Sequence, residues 1–282
     1  MRNKNEYIKI CEIKDKQKLL LVLLGQFHEI CEENNLIYNI FGGTLLGAVR
    51  HKGIIPWDDD IDVTMPREDY IKFLDIINRD YSESFELYAY PRKNYIYPYA
   101  KLGMKETILY ENVVKSKYNK LPLNIDIFPN DGYPKDENIL DKYNELEQKI
   151  ILCSYRLKYS KNPIKALKLF LRQVFAKTFG IRYFLKKQIE IVTSNKIEDC
   201  DYMLCQGAGW GRKGKLLKEV YYERCLYDFN GMKVWGQKNY NEQLSEFYGD
   251  YMTPPPLENQ KPPHDSELYI SKKIYQKYIR SE

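Results

Sequence analysis

No apolar run in this chain of 282 residues is long enough to cross a bilayer. The longest, Leu19 to Leu24, has six residues where a span needs about twenty. Met1-Arg2-Asn3-Lys4-Asn5-Glu6 leads into no apolar stretch, so a secretory leader is not expected. The six cysteines (Cys11, Cys31, Cys153, Cys200, Cys205, Cys225) are scattered without a C-x-x-C pair. That excludes a disulfide-stapled scaffold and fits reduced thiols in the cytosol. Cys200, Cys205 and Cys225 lack the partner spacing of a zinc site. The net charge of +5, from 44 basic and 39 acidic residues, is too small for a nucleic-acid binder, and no basic stripe interleaves with stacking aromatics. There is no internal repeat and no low-complexity linker. What remains is a soluble, cytoplasmic chain whose 44% hydrophobic and 14% aromatic content suffices for a core. The 26 tyrosines accompany abundant Lys, Ile and Asn, as AT-rich codons would give, and carry no argument.

The informative stretch is Gly42-Gly43-Thr44-Leu45-Leu46-Gly47-Ala48-Val49-Arg50, followed by Pro56-Trp57-Asp58-Asp59-Asp60-Ile61-Asp62. A glycine turn opening a helix presents free backbone N–H groups, a ready phosphate cradle. Four carboxylates then fall in five positions. At ~5–6 Å and an effective dielectric of about 20, each like-charged pair costs roughly 3 kcal/mol. A cation must offset this, and hard oxygen ligands beside a phosphate point to Mg²⁺, with Mn²⁺ as the alternative.

Within a strand, Asp60 and Asp62 share one face while Ile61 and Val63 enter the core. Asp126, between Ile125 and Ile127, has the same setting, and a neighbouring strand would complete a three-carboxylate metal site. A solvated acidic loop suits Asp58 and Asp59. A calcium loop fails, because Val63 stands where glycine is required and Asp69 where glutamate is.

Periodicity predicts an amphipathic helix over 15–34, a strand over 36–41, and a short helix capped by Thr44 and running to Arg50. A strand over 60–65 and a helix over 67–77 follow, then strands over 85–90, 95–102 and 124–128, the last bounded by Pro122 and Pro129. Residues 136–199 read as helical, broken at Asn162-Pro163 and Gly180. A hairpin turns at Asn230-Gly231, a helix covers 241–248, and a proline-rich loop precedes a last helix to Arg280. The expectation is an α/β (α+β) fold. Residues 1–134 form a mixed-sheet catalytic unit. Residues 135–282 form a mainly helical region, with a hairpin and a C-terminal tail, packed on it and binding the acceptor.

The block from Phe41 to Met65 resembles the signature of LicD-type phosphotransferases, a family that includes fukutin and fukutin-related protein within the nucleotidyltransferase-fold superfamily. Tyr99-Ala100-Lys101-Leu102, Asp126-Ile127-Phe128-Pro129, and Tyr248-Gly249-Asp250-Tyr251-Met252 with Pro254-Pro255 and His264 fit as well. The family tail often carries paired histidines where this chain has His264-Asp265, so no role is assigned to His264. The resemblance implies a nucleotidyltransferase-like mixed sheet. It also implies transfer of a phospho-alcohol from a CDP-linked donor to a hydroxyl of a cell-surface glycan or its lipid-linked precursor, with release of CMP. Asp60, Asp62 and Asp126 would hold Mg²⁺, and Asp126 would take the acceptor's proton. Gly42, Gly43 and Thr44 would cradle the pyrophosphate, and Arg50 and Lys101 would clamp phosphate.

Phosphocholine is the group best known in that family, and a quaternary ammonium needs aromatic faces: Trp57, or Tyr95, Tyr97 and Tyr99 along one strand face. CDP-glycerol, CDP-ribitol and CDP-ethanolamine would use the same metal site. A nucleotidyltransferase releasing pyrophosphate and an inactive nucleotide-binding module are the alternatives. Pro163 to Lys187 carries seven basic residues and no acid, with Ile164, Leu167, Phe170, Leu171, Val174 and Phe175 at helical spacing. That pattern suits peripheral contact with the inner membrane leaflet, or a helix docked on the core with a solvated cationic face.

Overall fold

The structure, a computed structural model, describes residues 6–205, 207 and 211–280; residues 1–5 of the opening segment read for a leader lie outside the described residues. Strand β1 (Tyr7–Ile10) precedes α1 (Ile13–Glu33), which buries Leu19, Leu20, Leu23, Leu24, Phe27, Ile30 and Cys31 along one face. At roughly 1.5–3 kcal/mol per large apolar side chain, this helix is the main prop of the core. Next come β2 (Asn39–Ile40), α2 (Gly42–His51), β3 (Asp62–Pro66) and α3 (Arg67–Asp80). Five strands follow: β4 (Phe85–Tyr88), β5 (Ala100–Met104), β6 (Thr107–Glu111), β7 (Lys120–Leu121) and β8 (Asn124–Gly132). Three helices come next, α4 (Asn138–Ser154), α5 (Pro163–Phe179) and α6 (Ile181–Thr193). The chain then forms β9 (Tyr202–Cys205), β10 (Lys215–Leu217), α7 (Lys218–Tyr222), β11 (Arg224–Phe229) and β12 (Met232–Gln237). It closes with α8 (Asn241–Tyr248), β13 (Ser266–Ser271) and α9 (Lys272–Tyr278).

Among the described residues the mixed α/β fold holds two sheets. The larger runs β10-β9-β8-β3-β2-β12-β11, with β5 also on β8 and β4 on β5. The smaller is the antiparallel set β1-β13-β6-β7. Strands from beyond residue 134 therefore extend the same sheet that β3 and β8 build.

Several expected boundaries move. The strand over 124–128 does not end at Pro129 but runs to Gly132. Its outer side pairs with β5 up to Ile127 and with β9 from Asn130. Residues 128 and 129 sit in the gap between those two partners, where a proline's missing N–H is tolerated. The strand over 36–41 shrinks to two residues. The stretch 95–99 is irregular, since Tyr95 Oη donates to the carbonyl of Tyr99 at 2.8 Å, and the strand begins only at Ala100.

Thr44 is not the cap of α2. The helix starts at Gly42, whose φ of +54° glycine adopts freely, with Phe41 at the N-cap position. The tail beyond the prolines first forms β13, not a helix: Leu268 and Ile270 alternate inward, the period of a strand. The hairpin falls as expected, with Asn230 and Gly231 both at positive φ.

Candidate active site

The acidic stretch is placed by α1 and α2 together. Gln17 on α1 donates to the carbonyls of Ile55 at 3.1 Å and Asp58 at 2.8 Å, fixing the loop in front of β3. Thr44 on α2 accepts from the Asp62 N–H at 2.9 Å, and Phe41 N–H donates to the carbonyl of Asp62 at 3.0 Å. Asp62 thus opens β3, while Asp60 lies in the loop before it and not on the strand face expected for it.

Strand β3 runs parallel to β8 with Asp62 opposite Asp126, and β5 lies on the other side with Lys101 opposite Asp126. Register partners on neighbouring strands project from the same face about 5 Å apart. The Lys101 ammonium is buried and sits 2.6 and 2.8 Å from the two Asp126 oxygens, with Asn124 Oδ1 at 3.3 Å.

Glycine brings Asp58 against the start of α2. A Cβ on Gly43 would lie 2.8 Å from Asp58 Oδ2, so any other residue there would push that carboxylate aside. A Cβ on Gly42 would meet Asp62 Oδ2 and the Tyr248 hydroxyl at 3.6 Å, an ordinary contact, so it is the positive φ and not space that favours glycine there.

Charge is crowded here. Burial, then the neighbouring charge of Asp60 and a hydrogen bond with it, push Asp58 up from 3.8 to about 8. Asp62 is held well above the ordinary carboxylate range by burial and then by Asp60, Asp126 and Asp58. Burial raises Asp126 too, against the pull of Lys101. The solvated-loop reading of Asp58 and Asp59 therefore fails, since Asp58 is half-buried and Asp59 only 4% exposed.

The folded-state value of Asp58 lies above its unfolded value, so the native protein holds that proton more tightly and the carboxyl destabilises the fold increasingly as pH rises from about 4 to about 8. In EDTA-treated protein, Asp58→Asn should match the wild type in urea unfolding near pH 4. Its advantage should grow to a plateau above pH 8; an advantage independent of pH would contradict the assignment.

Two acidic groupings offer themselves to a metal ion. Asp59, Asp60 and His264 each present a ligand atom, all within 4.8 Å of one another, and such a group could hold an ion. Its charge is already balanced, however. Asp59 pairs with Lys16 Nζ at 2.6 Å and with His264 Nδ1 at 2.8 Å, and the hydrogen bond to Asp59 raises the imidazole to about 9, leaving it protonated at neutral pH. Binding a metal there would require expelling that proton. Asp58, Asp60, Asp62 and Asp126 form an all-oxygen set with Lys101 as the cation paired into it, and hard divalent cations take such donors. In donor chemistry this second set suits a hard divalent cation, whereas among the described residues it is the Asp59–Asp60–His264 group whose ligand atoms converge within 4.8 Å.

The other expected residues line two cavities that meet at Asp60. One, of about 620 Å³, is walled by Gly43, Arg50, Trp57, Asp62, Tyr248 and Lys261. Arg50 Nη1 donates to the carbonyl of Tyr251 at 2.6 Å, tying the tail to α2, and its guanidinium lies 6.0 Å from the Trp57 ring centroid. The second, of about 240 Å³, includes Tyr97, Tyr99, Glu111, Asp126, Tyr155 and His264. Tyr95 is buried away from it, and Lys101 Nζ already lies 4.9 and 5.5 Å from the Tyr97 and Tyr99 ring centroids. No sequence motif assigned a role to Lys16, Gln17, Glu111 or His264. The tail motif around Tyr248 and His264 was the one signal that the C-terminal segment returns to the acidic stretch.

Comparison with known proteins agrees with this architecture. Residues 35–161 match the family model described as LicD/FKTN/FKRP, nucleotidyltransferase domain, and that segment holds all three expected carboxylates. The chain is 32% identical over 267 residues to the lipopolysaccharide cholinephosphotransferase LicD of Haemophilus influenzae, covering 92% of this chain and 98% of that one. An uncharacterized protein of Rickettsia prowazekii is 37% identical over 121 residues, 40% of this chain and 46% of its own. One of Rickettsia typhi is 48% identical over 71 residues, 25% and 23%. The chain belongs to the LicD family.

Proposed function

We propose that the protein transfers a phospho-alcohol group, phosphocholine from CDP-choline, to a hydroxyl of a cell-surface glycan or its lipid-linked precursor at the inner leaflet, releasing CMP. The observation that carries this reading is the pairing of Asp62 with Asp126 in register on adjacent parallel strands, Asp62 lining the cavity that includes Gly43 of α2 and Asp126 lining the cavity beside it. Its phosphate-binding complement is Arg50 and Lys261. The relative named as a lipopolysaccharide cholinephosphotransferase supports the choline and the glycan.

In this reading the acceptor oxygen attacks the phosphorus that carries the alcohol. The anhydride bond to the cytidine-bearing phosphate breaks and CMP leaves. The hydroxyl proton passes to Asp126, whose pKa burial raises towards the range useful to a general base. Lys101 holds both oxygens of Asp126 and so fixes its orientation. Gly42, Gly43 and Thr44 hold the pyrophosphate near the α2 N-terminus, and Trp57 flanks the donor cavity. Asp60, Asp62 and Asp126 would hold Mg²⁺, or Mn²⁺ in its place. When bound, that ion supplies charge neutralisation to the transferring phosphoryl group. The second cavity, with Tyr97, Tyr99, Tyr155 and the Glu111 carboxylate, is the place for a cationic alcohol.

Product analysis with CDP-choline, CDP-glycerol, CDP-ribitol and CDP-ethanolamine tests the proposal. CMP formation favouring CDP-choline is expected. Pyrophosphate released from a nucleoside triphosphate instead would identify a nucleotidyltransferase, and preference for another CDP-alcohol would remove the choline assignment.

A further inference from the structure

Helix α5 carries its apolar side on the outside. Its buried residues are Gln173 and Ala176, and Gln173 accepts a hydrogen bond from Tyr159. Ile164, Leu167, Leu171, Val174 and Phe175 are instead 65%, 57%, 56%, 44% and 60% exposed. At about 100° per residue they span an arc of roughly 100°, centred opposite the docked stripe. A helix that packs on a core turns this arc inward. Here the expectation of a docked apolar side with solvated cations is overturned: both the apolar arc and the cations face out.

The surroundings specify what covers that arc. Lys165, Lys168 and Arg172 lie along one flank and Lys177 along the other, and α5 contains no acidic residue. Phe175, Phe179 and Tyr183 extend the patch around the α5–α6 corner, with ring centroids 5.3 and 5.4 Å apart, and Phe179 and Tyr183 are 49% and 44% exposed. An apolar strip flanked by lysine and arginine and ended by aromatic rings complements an anionic lipid surface, with tails beneath the strip and phosphates beside the cations. A second copy docking face to face would oppose these same cations, so self-association is disfavoured.

We propose that α5 is a membrane-docking helix that lies in the plane of an anionic lipid surface and seats Ile164, Leu167, Leu171, Val174 and Phe175 among the acyl chains. The inference rests on the surface of α5 and not on the reaction proposed above. Co-sedimentation of the full chain with vesicles of equimolar phosphatidylcholine and phosphatidylglycerol tests it, with phosphatidylcholine vesicles as the reference. Binding should favour the anionic vesicles. Leu171→Gln with Phe175→Gln should reduce the partition coefficient by more than about tenfold. Lys168→Gln with Arg172→Gln should reduce it by about fivefold per side chain removed, an effect that added salt should imitate. All these positions are solvent-exposed, so circular dichroism melting should be unchanged in both variants. A wild type that stays in the supernatant, or vesicle binding unaltered by the Leu171 and Phe175 changes, overturns the proposal. A dimer in sedimentation velocity that the same changes dissociate, without vesicle binding, assigns the patch to self-association instead.

Discussion

Asp62→Asn will lower CMP formation by about three orders of magnitude, equivalent to roughly 4 kcal/mol of transition-state stabilisation, and will raise the melting temperature of the metal-free protein. The two effects share one cause. Asp62 is enclosed with Asp60, Asp126 and Asp58 around it, so its carboxyl is held far above the range in which it ionises in water. Asparagine keeps the shape, removes the charge and ends that repulsion. A gain on the order of 1 kcal/mol would move the midpoint by a few degrees in a chain of this size. A residue that destabilises the resting fold and is needed for turnover is what a cation site predicts. Asp60→Asn should behave alike in activity. Calorimetric melting of EDTA-treated protein, alongside the CMP assay, checks both halves, and an active or less stable Asp62→Asn protein would contradict the assignment.

Lys101→Met should cost about 3 kcal/mol in urea unfolding, because it strips a buried carboxylate of its counter-ion. The ammonium is 2.6 and 2.8 Å from the Asp126 oxygens, and both side chains are largely enclosed, at 7% and 14% exposure. Adding Asp126→Asn to the same chain should recover most of the loss, since no unpaired charge then remains. A Lys101→Met protein as stable as the wild type would show that the pair contributes nothing to the fold. In the LicD resemblance Lys101 is a phosphate clamp; its burial and its two contacts to Asp126 suit a positioning role better.

Where the candidate residues lie was partly legible because they break the rules of their neighbourhood. Asp126 stood out as a carboxylate between Ile125 and Ile127 in an apolar strand, and β8 places it opposite Asp62 with Lys101 as its buried counter-ion. The Asn-Gly hairpin and the leucine face of α1 followed from turn chemistry and periodicity. What escaped depended on distant partners. Asp59 read as solvated because its cations, Lys16 and His264, lie 43 and 205 residues away. Pro129 read as a strand end because only the sheet's change of partner from β5 to β9 makes room for it. Asp60 read as a strand residue, whereas the hydrogen bonds that Gln17 donates hold the preceding residues as a loop. In α5 the periodicity revealed an apolar face but not which way it pointed, and only the packing of α4 and α6 decides that.

Manganese binding followed by electron paramagnetic resonance, for the wild type and for Asp62→Asn in parallel, decides whether the carboxylates hold a cation. The wild type should bind Mn²⁺ that Mg²⁺ displaces, and the variant should fail to hold it. Equal Mn²⁺ affinity in the two proteins would rule out a cation held by Asp62.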